Sequence, residues 1–141
     1  MDLALVYKLI KHFEGCILSP YLDAGGIWTC GWGTTGADVI PGVSWSQEYA
    51  DKRLEQDISR FTKGVLALYL TWNSARLCAL VDFAYNLGLG NLRASTLLRK
   101  LRADNISGAA QEFKRWVKCN GRILPGLVAR RAAERALFLT G

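Results

Sequence analysis

The sequence predicts an α+β fold in which a small sheet lobe adjoins a larger helical lobe, with a ligand cleft between the two. Three observations predict it. Apolar residues at helical spacing open the chain, a stretch rich in Gly, Thr and aromatics from Pro20 to Pro41 interrupts that period, and helical periodicity then returns and persists to the end. The 141 residues suit one domain, with the sheet lobe at about 15–60 and the helical lobe in the remainder.

Leu3, Val6, Tyr7, Ile10, Phe13 and Glu14 recur at three-and-four spacing, so an amphipathic helix should end at Gly15, a residue suited to a left-handed stop. Asp23-Ala24-Gly25-Gly26 reads as a turn and Ile27–Trp32 as a strand, giving a small β-hairpin. Ser44 with Gln47 has the spacing of a capping box, and Leu54, Ile58 and Phe61 continue one helical face toward Gly64. Thr71 can cap a further helix carrying Leu77, Leu80, Val81 and Ala84, closed by the glycines at 88 and 90. Shorter helices are expected at about Ser95–Leu101, Ser107–Val117 and Leu127–Leu139.

Half the residues are hydrophobic, which supplies a packed core and argues against a disordered chain. The net charge of +6 favours an anionic partner: nucleic acid, a membrane surface or bacterial wall. Basic residues are spread from Lys8 to Arg135 with no recognised nucleic-acid module, so nucleic acid is not expected as the partner. Cys16, Cys30, Cys78 and Cys119 form no CxxC pair and His12 is the single histidine, so no metal site is expected. The four thiols read as small buried hydrophobes rather than a disulfide framework. No run of eighteen apolar residues is present, and no export segment is expected within these residues.

Glu14 falls with Ile10 and Tyr7 on the apolar stripe, at the carboxyl end of its helix. Desolvation and the helix dipole both disfavour the ionised form of a carboxyl there, as a proton donor requires. The same residue can equally pair with a late arginine, Arg130 or Arg131, and both roles are compatible. Asp23 can simply bond its own turn. In a regular strand Thr29 shares a face with Ile27 and Gly31, and the missing side chain of Gly31 would keep that face open as a cleft wall. Two carboxyl groups suffice for glycoside hydrolysis when one is held protonated and the other handles water or the sugar cation, a division Glu14 and Asp23 fit.

The spacing Glu14, Asp23, Thr29 is set within Phe13-Glu14-Gly15, Tyr21-Leu22-Asp23, Gly26-Ile27-Trp28-Thr29 and Gly31-Trp32-Gly33. Downstream stand Leu80–Gly88, Ser95–Leu101, Phe113-Lys114-Arg115-Trp116 and Leu124–Phe138. In this order the segments resemble the phage-type lysozymes over nearly the whole chain. The resemblance implies a lysozyme-like fold and cofactor-free cleavage, with inversion, of the β-1,4 bond between N-acetylmuramic acid and N-acetylglucosamine in peptidoglycan. It implies Glu14 as proton donor, Asp23 as base or electrostatic partner, and Thr29 as holder of the attacking water. Trp28, Gly31, Arg130 and Arg131 are the expected supporting or substrate-binding residues, with Arg130 or Arg131 the cation nearest Glu14. A monomer is expected, made in the host cytoplasm and acting on periplasmic peptidoglycan after release, with transient contact to an anionic membrane surface open to it. Where the family commonly has histidine after Gly31-Trp32-Gly33, this chain has Thr34, and loss of that histidine should remove a structural hydrogen bond or ion pair rather than the reaction itself.

Two other readings remain. A lytic transglycosylase needs the acid but no positioned water, and Asp23 with Thr29 favours hydrolysis over it. A non-enzymatic, wall- or membrane-perturbing protein would act through the basic, apolar-faced segment carrying Arg130, Arg131 and Arg135.

Overall fold

The computed structural model describes residues 2–141. Helix α1 (Ala4–Glu14) buries Val6 and Ile10, and its carboxyl end is turned by Gly15 at φ +65°, as the apolar stripe and the glycine predict. Strands β1 (Ile17–Leu22) and β2 (Trp28–Gly31) pair antiparallel with Tyr21 opposite Thr29 and Leu22 opposite Trp28. The register is irregular between Ile17 and Tyr21, where Pro20 has no N–H to give the ladder. Cys30, Val39, Trp45 and Ala50 form a small core beneath this hairpin.

Helix α2 (Gln47–Leu68) starts two residues later than a cap at Ser44 implies. The Ser44 hydroxyl lies 3.1 Å from that of Ser19 and Trp45 N donates to Leu18 O, so the backbone is still tied to β1 there. Ser46 is the cap, accepting from Tyr49 N. The helix also runs through Gly64 to Leu68, because Leu89 packs onto the glycine and fills its missing side-chain space. Helix α3 (Ser74–Leu87) is capped by Asn73 rather than Thr71, whose hydroxyl instead accepts from Asn73 N. Buried from Leu77 to Ala84, α3 is the central helix of the main core.

Around α3 stand α4 (Leu89–Ala94), α5 (Thr96–Arg102), α6 (Ile106–Glu112) and α7 (Pro125–Leu139). Helix α6 is shorter than its apolar pattern suggests: Phe113–Arg115 tightens into a 3-10 turn as Phe113 packs edge-on against Phe83 and Phe138. A second hairpin, β3 (Lys118–Cys119) and β4 (Arg122–Ile123), turns at Asn120 and Gly121, both at positive φ. That Asn-Gly pair is the strongest short signal for a tight hairpin turn, one that hydrophobic periodicity does not register.

Candidate active site

A cleft of about 470 Å³ opens between the β1–β2 hairpin and the helices. Glu14, Asp23 and Thr29 all line it, so the three residues singled out by spacing converge in space. Arg60 and Phe61 of α2, Tyr85 at the end of α3, and Lys118 and Cys119 of β3 complete its walls. The far rim is tied across the opening, with Asn120 Nδ2 donating to Ala24 O at 3.2 Å.

Glu14 is held from two sides. Arg130, from α7, donates through Nη1 to Glu14 Oε2 at 2.7 Å. On the other side a Cβ built at Gly33 would stand 2.6 Å from Glu14 Cδ and Oε1, so this glycine permits the carboxyl to rest against the backbone. Gly33 is at φ +85°, a second reason for glycine there.

Gly31 does not play that part. At φ +64° it leaves the regular strand, so alternation fails and its missing side chain faces Trp45 and Ala50 in the small core instead of the cleft. Trp28 lies outside the cleft lining, exposed on the hairpin opposite Leu22. Arg131 does not approach Glu14 either. It is buried beneath α7 with Nη2 2.8 Å from Glu134 Oε2.

Asp23 sits at the turn between β1 and β2. Its Oδ1 accepts from Gly25 N at 2.9 Å and Ile27 N at 2.8 Å, the local turn bonding expected of such an aspartate. Both bonds fall on one oxygen, which leaves Oδ2 available to the cleft. Thr29 is 3% exposed and donates its hydroxyl to Ile27 O at 2.9 Å, so toward the cleft that oxygen can serve only as an acceptor.

Sequence reasoning missed the group behind Arg130. Asp82, wholly buried, accepts from Arg130 Nε and Nη2, both at 2.9 Å, a bidentate grip that aims the remaining guanidinium nitrogen at Glu14. The signal was present, since Asp82 is the one acidic residue in the otherwise apolar Leu77–Ala84 stretch and needs a buried partner. Burial pushes Asp82 up, but hydrogen bonds from Glu134 and Arg130 and the two arginine charges hold it below the usual carboxylate range. Glu134 moves the other way, raised well above its ordinary value by burial and by its hydrogen bond with Asp82. Burial thus favours the neutral form of Glu134 although the Arg131 guanidinium stands 2.7 Å from its Oε1, while Asp82 favours its charged form.

Thr34 and Tyr85 hold the loop that carries Gly33. Thr34 pairs with Cys30 through both backbone groups and donates its hydroxyl to Asp57 Oδ2 of α2 at 2.9 Å. Asp57 also takes Arg53 Nη1 at 3.1 Å. Tyr85 donates to Trp32 O at 2.6 Å, and burial raises its phenol above the ordinary value. The position at which the resemblance expects histidine thus keeps a hydrogen bond to a carboxylate, made by a hydroxyl.

The family model described as phage lysozyme matches residues 11–134. The chain belongs to the phage lysozyme family. Among curated relatives of this family member, an endolysin of Bacillus phage B103 is 45% identical over 95% of this chain and 52% of its own length. A SAR-endolysin of bacteriophage PS119 is 34% identical over 91% of this chain and 77% of its own. The chain spans about half the length of the two Bacillus phage endolysins it matches, 52% and 53%. Among solved structures, the muramidase domain of SpmX from Asticaccaulis excentricus superposes with TM-score 0.86 at 31% identity, covering 98% of this chain and 97% of that one. The active form of the P1 phage endolysin Lyz gives 0.85 at 26% identity, covering 98% of this chain and 84% of the other. This lysozyme-family fold is the α+β arrangement that the sequence predicts.

Proposed function

We propose that this chain is an endolysin-type muramidase that hydrolyses the β-1,4 bond between N-acetylmuramic acid and N-acetylglucosamine in peptidoglycan, lysing the host. The observation that carries the proposal is the placement of Glu14. Its carboxyl is fixed between Arg130 and Gly33 in a cleft that Asp23 and Thr29 also line.

Glu14 is the general acid, giving its proton to the glycosidic oxygen as the bond breaks. Asp23, through Oδ2, serves as base toward water or as counter-charge to the oxocarbenium-like transition state, and the Thr29 hydroxyl accepts a hydrogen bond from that water. Water attack on the face opposite the leaving group gives inversion. The enzyme acts as a monomer without a cofactor. The substrate is met in the periplasm after synthesis in the host cytoplasm.

Purified peptidoglycan digested by the wild type should yield reducing muropeptides by mass spectrometry, and Glu14→Gln should yield none while remaining folded. Anhydro-sugar ends would make the chain a lytic transglycosylase. Products that persist in Glu14→Gln would remove Glu14 from the chemistry. The anomer first released, read by NMR, tests inversion.

A further inference from the structure

The segment joining α2 to α3 presents the two most exposed large hydrophobic side chains among the described residues, Trp72 at 85% and Leu70 at 73%. Their display is built in. Thr71, between them, turns inward and is 8% exposed, so Leu70 and Trp72 share the outward side of an extended segment. One end is fixed by Arg102, which donates through Nε and Nη2 to Leu68 O at 3.1 and 2.7 Å. The other end is fixed by Asn73, whose side chain caps α3 at Arg76 N.

The surroundings are cationic. Arg102 bonds Leu68 O at one end of the segment, Arg76 stands in the first turn of α3 at the other, and no acidic residue occurs in the sequence between Asp57 and Asp82. An indole and a leucine held outward beside arginines suit a surface with an apolar interior and anionic headgroups. An anionic polymer would use the charges and can stack on the indole, but it has no use for Leu70.

We infer that Leu70 and Trp72 form a wedge that seats this chain on anionic lipid bilayers, with Arg102 and Arg76 against the headgroups. The contact is peripheral, since no helix among the described residues is long and apolar enough to cross a membrane. It is also independent of the reaction in the cleft.

The test is co-sedimentation of the full chain with vesicles of phosphatidylglycerol and phosphatidylcholine, against vesicles of phosphatidylcholine alone, using the wild type and Leu70→Ser/Trp72→Ser. The wild type should partition onto the anionic vesicles at least about tenfold better than onto neutral ones, and the double variant should lose about tenfold of that binding. Its thermal midpoint and its activity on purified peptidoglycan should stay at wild-type values, since both side chains lie in solvent and outside the cleft. Absence of wild-type binding overturns the inference. So does a double variant that binds as well as the wild type, since charge alone would then suffice. Binding to purified teichoic acid that survives the double substitution, without binding to vesicles, assigns the basic face to a wall polymer instead.

Discussion

Gly33 and Glu14 are in such close approach that a single added carbon would collide with the carboxyl: a Cβ at Gly33 would stand 2.6 Å from Glu14 Oε1. Gly33→Ala must therefore displace Glu14 or the loop, and it also places alanine at φ +85°, which costs about 1 kcal/mol by itself. Wall-hydrolysing activity should fall by at least about tenfold, as expected when a reacting group moves by an ångström. Gly42→Ala is the control, with φ +83° and nothing within 4 Å of its added Cβ. It should lose a similar increment of stability and keep its activity. Equal activity in the two variants would remove Gly33 from the positioning of Glu14.

Arg130 is shared between a cleft carboxylate and a buried one, and the two halves of its role can be separated. Arg130→Ala leaves Asp82 buried without its bidentate partner and should cost about 3–5 kcal/mol in urea unfolding. Asp82→Leu with Arg130→Met replaces both charges by apolar groups and should recover much of that loss. It should remain catalytically impaired, because nothing then holds Glu14 Oε2. Full activity in the double variant would reduce Arg130 to a structural residue.

Glu134 gives this network a pH dependence with a definite sign. Its folded-state carboxyl titrates above its unfolded range, mainly through burial, so above about pH 4.3 the native chain keeps a proton that the unfolded chain has released. Stability should therefore fall as pH rises through that window. Asp82 is depressed in the folded state and contributes the opposite slope, lost only as pH falls below the ordinary aspartate range. Glu134→Gln mimics the neutral form, so its unfolding free energy should stay flatter than the wild type between about pH 5 and pH 8. Parallel curves for the two proteins would count against a neutral Glu134.

The difference between what the sequence disclosed and what it hid follows from how local each signal is. The stop at Gly15 and the place of Glu14 on the apolar stripe follow from one helical period, and the turn bonding of Asp23 from its own dipeptide neighbours. The pairing of Arg130 with Glu14 spans 116 residues, and no periodicity distinguishes it from pairing through Arg131. Strand alternation, which presumes regular φ, puts Gly31 on the cleft face, whereas its own left-handed φ turns it into the small core. Gly33 stands in the sequence as part of Gly31-Trp32-Gly33, with no signal there for a contact to Glu14; that role exists only once α1 and the hairpin are brought together. Asp82 and the Asn120-Gly121 turn were readable from general rules about buried acids and tight hairpins, without any tertiary knowledge.

Thr34 links the Gly33 loop to α2 through a buried bond to Asp57, which also holds Arg53. Thr34→Ala removes one of the partners of a buried carboxylate and should cost about 1–2 kcal/mol in denaturant unfolding, with Thr34→Ser close to wild type. Because the donor is a hydroxyl, this tie has no titration of its own near pH 6.5, unlike a histidine placed there. The stability difference between wild type and Thr34→Ala should therefore stay constant from about pH 5.5 to pH 8. A difference that vanishes as pH rises through that range would mean that the Thr34 bond reports on another titrating group, and Asp57 would no longer be its principal partner.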